Sequence, residues 1–125
     1  MVNVQLLGQA MTHIIKHPEL HHQTGCYEVN EFGVAACLAG RTLLLAGYEP
    51  MLPMIDGARS SLAQNPRTHE IVSVWNEARD ILGLAREQAS NLFAPSNTRL
   101  MLEKKVNDLL KQSPLERYSD LIVLG

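Results

Sequence analysis

The chain has 125 residues, 46% of them apolar and 19% charged, and a formal net charge of −2. Those values fit one folded domain that buries its own core without disulfide or metal staples. They exclude a polyelectrolyte drawn to nucleic acid or to an anionic membrane by bulk charge.

The opening stretch, MVNVQLLGQAMTHIIKHPE, has no basic leader ahead of an apolar run, so no secretion signal is expected. The longest apolar stretch, residues 33–48, is interrupted by Arg41 and Thr42. It is also shorter than the roughly 20 residues a membrane-spanning helix needs. A cytoplasmic protein is the expectation, with Cys26 and Cys37 as reduced thiols; one disulfide between them is open in principle but unusual in that compartment.

Val4, Leu6, Leu7, Met11, Ile14 and Ile15 recur at helical spacing and predict a first amphipathic helix. Pro18 disfavours helical geometry in the residue before it, so this helix should end near Lys16 or His17. Residues 17–31 are polar and read as a loop with one helical turn after Pro18. The stretch FGVAACLAGRTLLLAGY follows, with Gly33, Gly40 and Gly47 at seven-residue intervals. Read as a helix over residues 33–46, it is apolar nearly all round and belongs at the centre of an all-α domain. Gly40 would then admit a neighbouring helix at close range, and Gly47 would form a left-handed C-terminal cap. Asn30 is the expected N-cap.

Pro50, Pro53, Gly57 and Pro66 punctuate residues 49–67, where a short helix around residues 58–63 is expected. Thr68 suits a helix N-cap, and Ile71, Val74, Trp75, Ala78, Ile81 and Leu82 line one face of a helix over residues 68–82 that Gly83 ends. A short helix over residues 85–93 turns Ala89, Leu92 and Phe93 inward. After the turn at Pro95, Ser96 and Asn97, a helix over residues 99–111 is capped by Asn97 or Thr98 and buries Leu102, Val106, Leu109 and Leu110. Ser113 and Pro114 read as a cap and first residue of a last turn. Leu121 to Leu124 form an apolar tail suited to a strand or to the core. The sum is one all-α domain over residues 1–125, of about five or six helices around a central helix.

FGVAACLAGRTLLLAGY resembles a family of small uncharacterised bacterial and phage-encoded proteins with a Cys-Gly-Thr-x-x-Cys-x-Ala-Gly pattern. The matching residues are Gly33, Cys37, Ala39, Gly40, Leu44 and Gly47. LGLAREQASNLFAPSNT, residues 82–98, resembles the family's Leu-Gly-Leu, Gln-Ala, Leu-Phe and Asn-Thr series, and HPEL its upstream His-Pro-Glu. Phe32 stands where the family has its first cysteine, Val34 where it has threonine, and Ala85 where it has a threonine cap. A role for that cysteine pair is therefore closed to this chain. The resemblance implies a fold and no reaction.

His13, His17, His21, His22 and Cys26 crowd into fourteen residues. Imidazole and thiolate are the usual zinc ligands, but Pro18 and the uneven spacing match no zinc signature, and solvated histidines are the ordinary reading. Cys37 among Ala36, Leu38 and Ala39 reads as a small buried hydrophobe, which leaves Cys26 as the more reactive thiol. Residues 78–93 suggest a degenerate helix-turn-helix. Its reading helix, residues 86–93, has Arg86 as its one cation, too few donors for DNA, and a packed helical hairpin is the simpler reading. Arg41 with Asn97 is the candidate contact for an anionic ligand, against a snorkelling surface arginine as the plain alternative. No paired carboxylates or phosphate-cradling loop appear, so neither catalytic residues nor a cofactor are assigned. The expectation is a non-catalytic protein-interaction module, its partner another protein or a second copy of itself. The competing readings are a metal protein or enzyme using residues 13–26, and a DNA-binding regulator.

Overall fold

Asn3 accepts the Leu6 N–H on its side chain at 3.1 Å and so starts α1, Val4–Lys16. The computed structural model describes residues 2–112; the expected cap at Ser113 and Pro114 and the apolar tail Leu121 to Leu124 lie outside the described residues. Leu7, Ala10, Met11 and Ile14 form the buried stripe of α1. The helix ends before Pro18 as expected, and Pro18–Leu20 makes the single turn of 3-10 helix.

The all-α expectation fails beyond this point. Five α-helices share the described residues with two three-stranded antiparallel sheets, so the fold is an α+β mixture. The loop expected over residues 17–31 contains β1, Tyr27–Asn30. The central helix expected over residues 33–46 begins as a strand, β2, Gly33–Ala36, and only then becomes α2, Leu38–Leu45. Tyr27 and Val29 face inward on β1, which pairs with β2 from Tyr27↔Ala36 to Asn30↔Gly33. Asn30 does not cap a helix. Its side chain accepts the Phe32 N–H at 2.8 Å and closes the hairpin turn.

The weakly patterned segment is strand rather than helix: β3 Glu49–Pro50, β4 Arg59–Ser60 and β5 Leu62–Gln64. The helix expected over residues 68–82 gives its first turn to β6, Ile71–Ser73, and α3 is Val74–Leu82. The first sheet has the order β2-β1-β4 and the second β3-β5-β6. Ser61 joins the two sheets between β4 and β5, and its carbonyl accepts the Val74 N–H at 3.0 Å.

The rest follows the helical periodicity. Gly83 ends α3 in the left-handed region at φ 69°. In α4, Arg86–Leu92, Ala89 and Leu92 are buried, and the Ala85 N–H is satisfied by Gln88 Oε1 at 2.8 Å in place of a threonine cap. Thr98 Oγ1 accepts the Met101 N–H at the start of α5, Arg99–Gln112, which buries Leu102, Val106 and Leu109.

Although shorter than expected, α2 is the hub. Leu38, Ala39, Gly40, Arg41, Thr42 and Leu43 are all buried, and α1 and α3 pack against it. Burying Leu38 and Leu43 contributes roughly 1.5–3 kcal/mol each. Gly47 follows α2 at φ 91°, a left-handed residue after the helix end as expected. Gly40 does admit a close neighbour, but it is the backbone of the strand region and not a helix. A Cβ at Gly40 would stand 2.5 Å from the Cys26 carbonyl oxygen and 3.0 Å from the Tyr27 ring.

Candidate functional site

Cys26 and Cys37 extend the β1–β2 ladder by one pair. Tyr27 faces Ala36, so Cys26 faces Cys37, whose N–H donates to the Cys26 carbonyl at 3.2 Å. Cys37 is also the N-cap of α2, and its Sγ accepts the Gly40 N–H at 3.4 Å. Gln23 Oε1 accepts the Leu38 N–H at 3.3 Å, so two donors of the first turn are satisfied by side chains. The Gln23 amide donates in turn to the Leu92 and Ala94 carbonyls, at 3.0 and 3.2 Å, and joins the start of α2 to the end of α4.

A cavity of about 130 Å³ lies against this junction, lined by Thr24, Cys26, Cys37, Trp75, Phe93 and Pro95 among others. Trp75 and Phe93 meet edge to face, ring centroids 5.7 Å apart. Cys26 is half-buried and Cys37 buried. The neighbouring Cys37 thiol lowers the Cys26 pKa against the opposing effect of burial. The Cys26 side chain, together with burial, pushes the Cys37 thiol well up. Burial favours the protonated form of Cys37, and the half-buried Cys26 is the sulfur open to reaction.

The histidines are distributed rather than gathered. His13 and His17 stack on α1 with ring centroids 4.6 Å apart. Burial, then the Arg41 charge, lowers the His13 pKa. His17 pairs with Glu19 at 3.5 Å. His21 bonds Gln23 at 3.0 Å, and burial lowers its pKa. His22 meets Thr24 at 2.8 Å and Glu28 at 3.4 Å. Among the described residues, no group of three or more His, Cys, Asp or Glu side chains is placed to hold a metal ion.

Arg41 and Asn97 serve different junctions. Arg41 is buried, and its Nη2 donates to the Leu20 and Val34 carbonyls at 3.3 and 3.2 Å. It ties the 3-10 turn to β2, and burial lowers its pKa. Asn97 Nδ2 donates to the Asn91 and Leu92 carbonyls at the end of α4, and its Oδ1 accepts from Lys105 at 2.6 Å. On α4 Arg86 is exposed and is the only cation of the helix.

A second feature lies on the outer face of the β3-β5-β6 sheet. Glu49↔Gln64 and Pro50↔Ala63 set the register, and the Met51 N–H continues it to the Leu62 carbonyl at 3.0 Å. On the other side Leu62 faces Ser73 and Gln64 faces Ile71. Ala63 points into the core, so Met51, Leu62 and Ile71 project outward together, 40%, 45% and 49% exposed.

No family model, curated protein or solved structure matches the chain. The likeness to small bacterial and phage-encoded proteins therefore rests on the quoted motifs alone. No described helix is long and apolar enough to cross a membrane. Sequence reasoning missed Gln23 altogether, because glutamine in a polar loop carries no local signal. It left a Cys26–Cys37 disulfide open in principle but did not place the two thiols face to face, which depends on a strand register hidden inside an apolar run.

Proposed function

We propose that the chain is a non-catalytic, cytoplasmic interaction module that pairs with a second copy of itself through the outer face of the β3-β5-β6 sheet. The observation that carries this reading is the diagonal of Met51, Leu62 and Ile71 across three paired strands. Large apolar side chains grouped on one exposed sheet face mark an interaction surface more often than scattered ones do. The polar residues sharing that face, Gln64 and Ser73, are uncharged, and Glu49 stands at its margin. A face whose one charge, Glu49, lies on the edge strand suits an identical face across a two-fold axis, where a central charge would meet its own like. The chain's small net charge of −2 adds little repulsion.

Three half-exposed side chains form a small core against the roughly 800 Å² per partner of a standard interface. The dimer is therefore weak, with Kd about micromolar or looser. Light scattering across a wide concentration range tests this. The mass should rise from one chain toward two, and Leu62→Lys or Ile71→Lys should hold it at one chain with unchanged circular dichroism. A single-chain mass at every concentration overturns the reading, and so does a dimer that both lysine variants leave intact.

A further inference from the structure

The two cysteines of the chain are eleven positions apart, yet the β1–β2 register sets them face to face. Directly opposed residues of antiparallel strands have Cα atoms about 4.5–5.5 Å apart, inside the roughly 4.4–6.8 Å range a disulfide spans. The Cys37 N–H bond to the Cys26 carbonyl holds the two backbones at that distance. Both residues line one cavity of about 130 Å³, and Cys26 is the more accessible of the two. Gly40 places its N–H on Cys37 Sγ, which fixes where the second sulfur sits.

We propose that Cys26 and Cys37 form a reversible intrachain disulfide when a small hydroperoxide enters this cavity. The Cys26 thiolate attacks the peroxide oxygen; the S–O bond forms, the O–O bond breaks, and the leaving oxygen takes a proton to depart as water or an alcohol. Cys26 is then a sulfenic acid. Cys37 sulfur attacks Cys26 sulfur; the S–S bond forms, the S–O bond breaks, and the hydroxide leaves with the Cys37 proton as water. Two thiols are oxidised by two electrons and one peroxide is reduced. A dithiol reverses the change by exchange. The placement suits a cytoplasmic protein, where disulfides are transient and report oxidant.

The reduced full-length chain, treated with a stoichiometric amount of hydrogen peroxide, tests the assignment. Both thiols should become closed to alkylation, the mass should fall by two hydrogens, and the emission of Trp75, the only tryptophan, should be quenched by the adjacent disulfide. Dithiothreitol should restore all three. Cys37→Ser should leave a sulfenic acid on Cys26 that a dimedone-type reagent captures, and Cys26→Ser should consume peroxide about tenfold more slowly than the native chain. The assignment is overturned if both thiols stay alkylatable under excess peroxide in the native chain. It is equally overturned if the product is a disulfide between two chains, or a sulfinic acid on Cys26 with Cys37 still free. The native chain alone decides these outcomes, whether or not either variant folds.

Discussion

Gly40 and Cys26 meet with no room for a methyl group: a Cβ at Gly40 would stand 2.5 Å from the Cys26 carbonyl oxygen. That oxygen is backbone, held by the Cys37 N–H, and cannot swing aside. Gly40→Ala gains roughly 1 kcal/mol of helix propensity. It must then shift β1 against α2, an overpacking cost of about 1–3 kcal/mol that exceeds the gain in so constrained a place. The expected result is a lower urea midpoint with an unchanged m-value.

Gly8 is the opposite case. It lies mid-way along α1, and an added Cβ meets nothing within 4 Å. Gly8→Ala should therefore raise stability by about 0.5–1 kcal/mol, through helix propensity and a less free unfolded chain. Urea unfolding of the two alanine variants side by side gives shifts of opposite sign.

Asn97 is buried and satisfies two carbonyls at the end of α4. Asn97→Ala removes one donor from each, although the Leu92 carbonyl keeps Gln23 and the Asn91 carbonyl keeps Lys105, and it frees the Lys105 ammonium from its 2.6 Å partner. A loss of about 1 kcal/mol is expected, the net worth of a typical hydrogen bond, because neither carbonyl is left without a partner. Hydrogen exchange should show the loss concentrated at the junction of α4 and α5.

Tyr48 donates its hydroxyl to Glu77 at 2.5 Å, linking the segment after α2 to α3, and accepts from Asn65 at 3.2 Å. Burial, then the Glu77 carboxylate, pushes its pKa up to about 12. The fold therefore favours the neutral phenol. That contribution is complete below pH about 10, where the phenol of the unfolded chain titrates. It is lost as the pH rises toward the folded value of about 12. Tyr27, raised by burial, loses its contribution above the same starting point. Tyr48→Phe should cost about 1 kcal/mol at neutral pH and make the alkaline fall in urea midpoint shallower without abolishing it.

The helices most visible in the sequence are those whose own periodicity decides them. α1, α4 and α5 each carry an inward stripe with a stop signal beside it, and tertiary contacts had little to overrule. The strands are two to four residues long, too short for alternation to register. β1 takes β4 as a partner through Tyr27↔Ser60 and Glu28↔Arg59, about thirty positions on, and no local window contains that pairing. Ile71 and Val74 are three apart, which suits a helix face. The chain instead changes from β6 to α3 between Ser73 and Val74, so the apparent periodicity crossed a boundary. One signal was present and outweighed. Asn30, Glu31, Phe32 and Gly33 have asparagine first and glycine fourth, the pattern of a tight turn. The apolar run behind it read as continuous helix and concealed the hairpin. With the hairpin went the facing thiols, because on a helix Cys37 would have no fixed relation to Cys26.

β1 has neighbours of two kinds, and this bears on the order of assembly. Its pairing with β2 needs only a two-residue connection and can close in about microseconds, as isolated hairpins do. Its pairing with β4 must first draw in the intervening chain, including α2, and that closure entropy is spent before any contact repays it. The hairpin is thus the template, and the β4 edge arrives late. Weakening that edge at Arg59, whose Nε holds Glu28 at 2.6 Å, should speed unfolding while leaving the refolding rate nearly untouched.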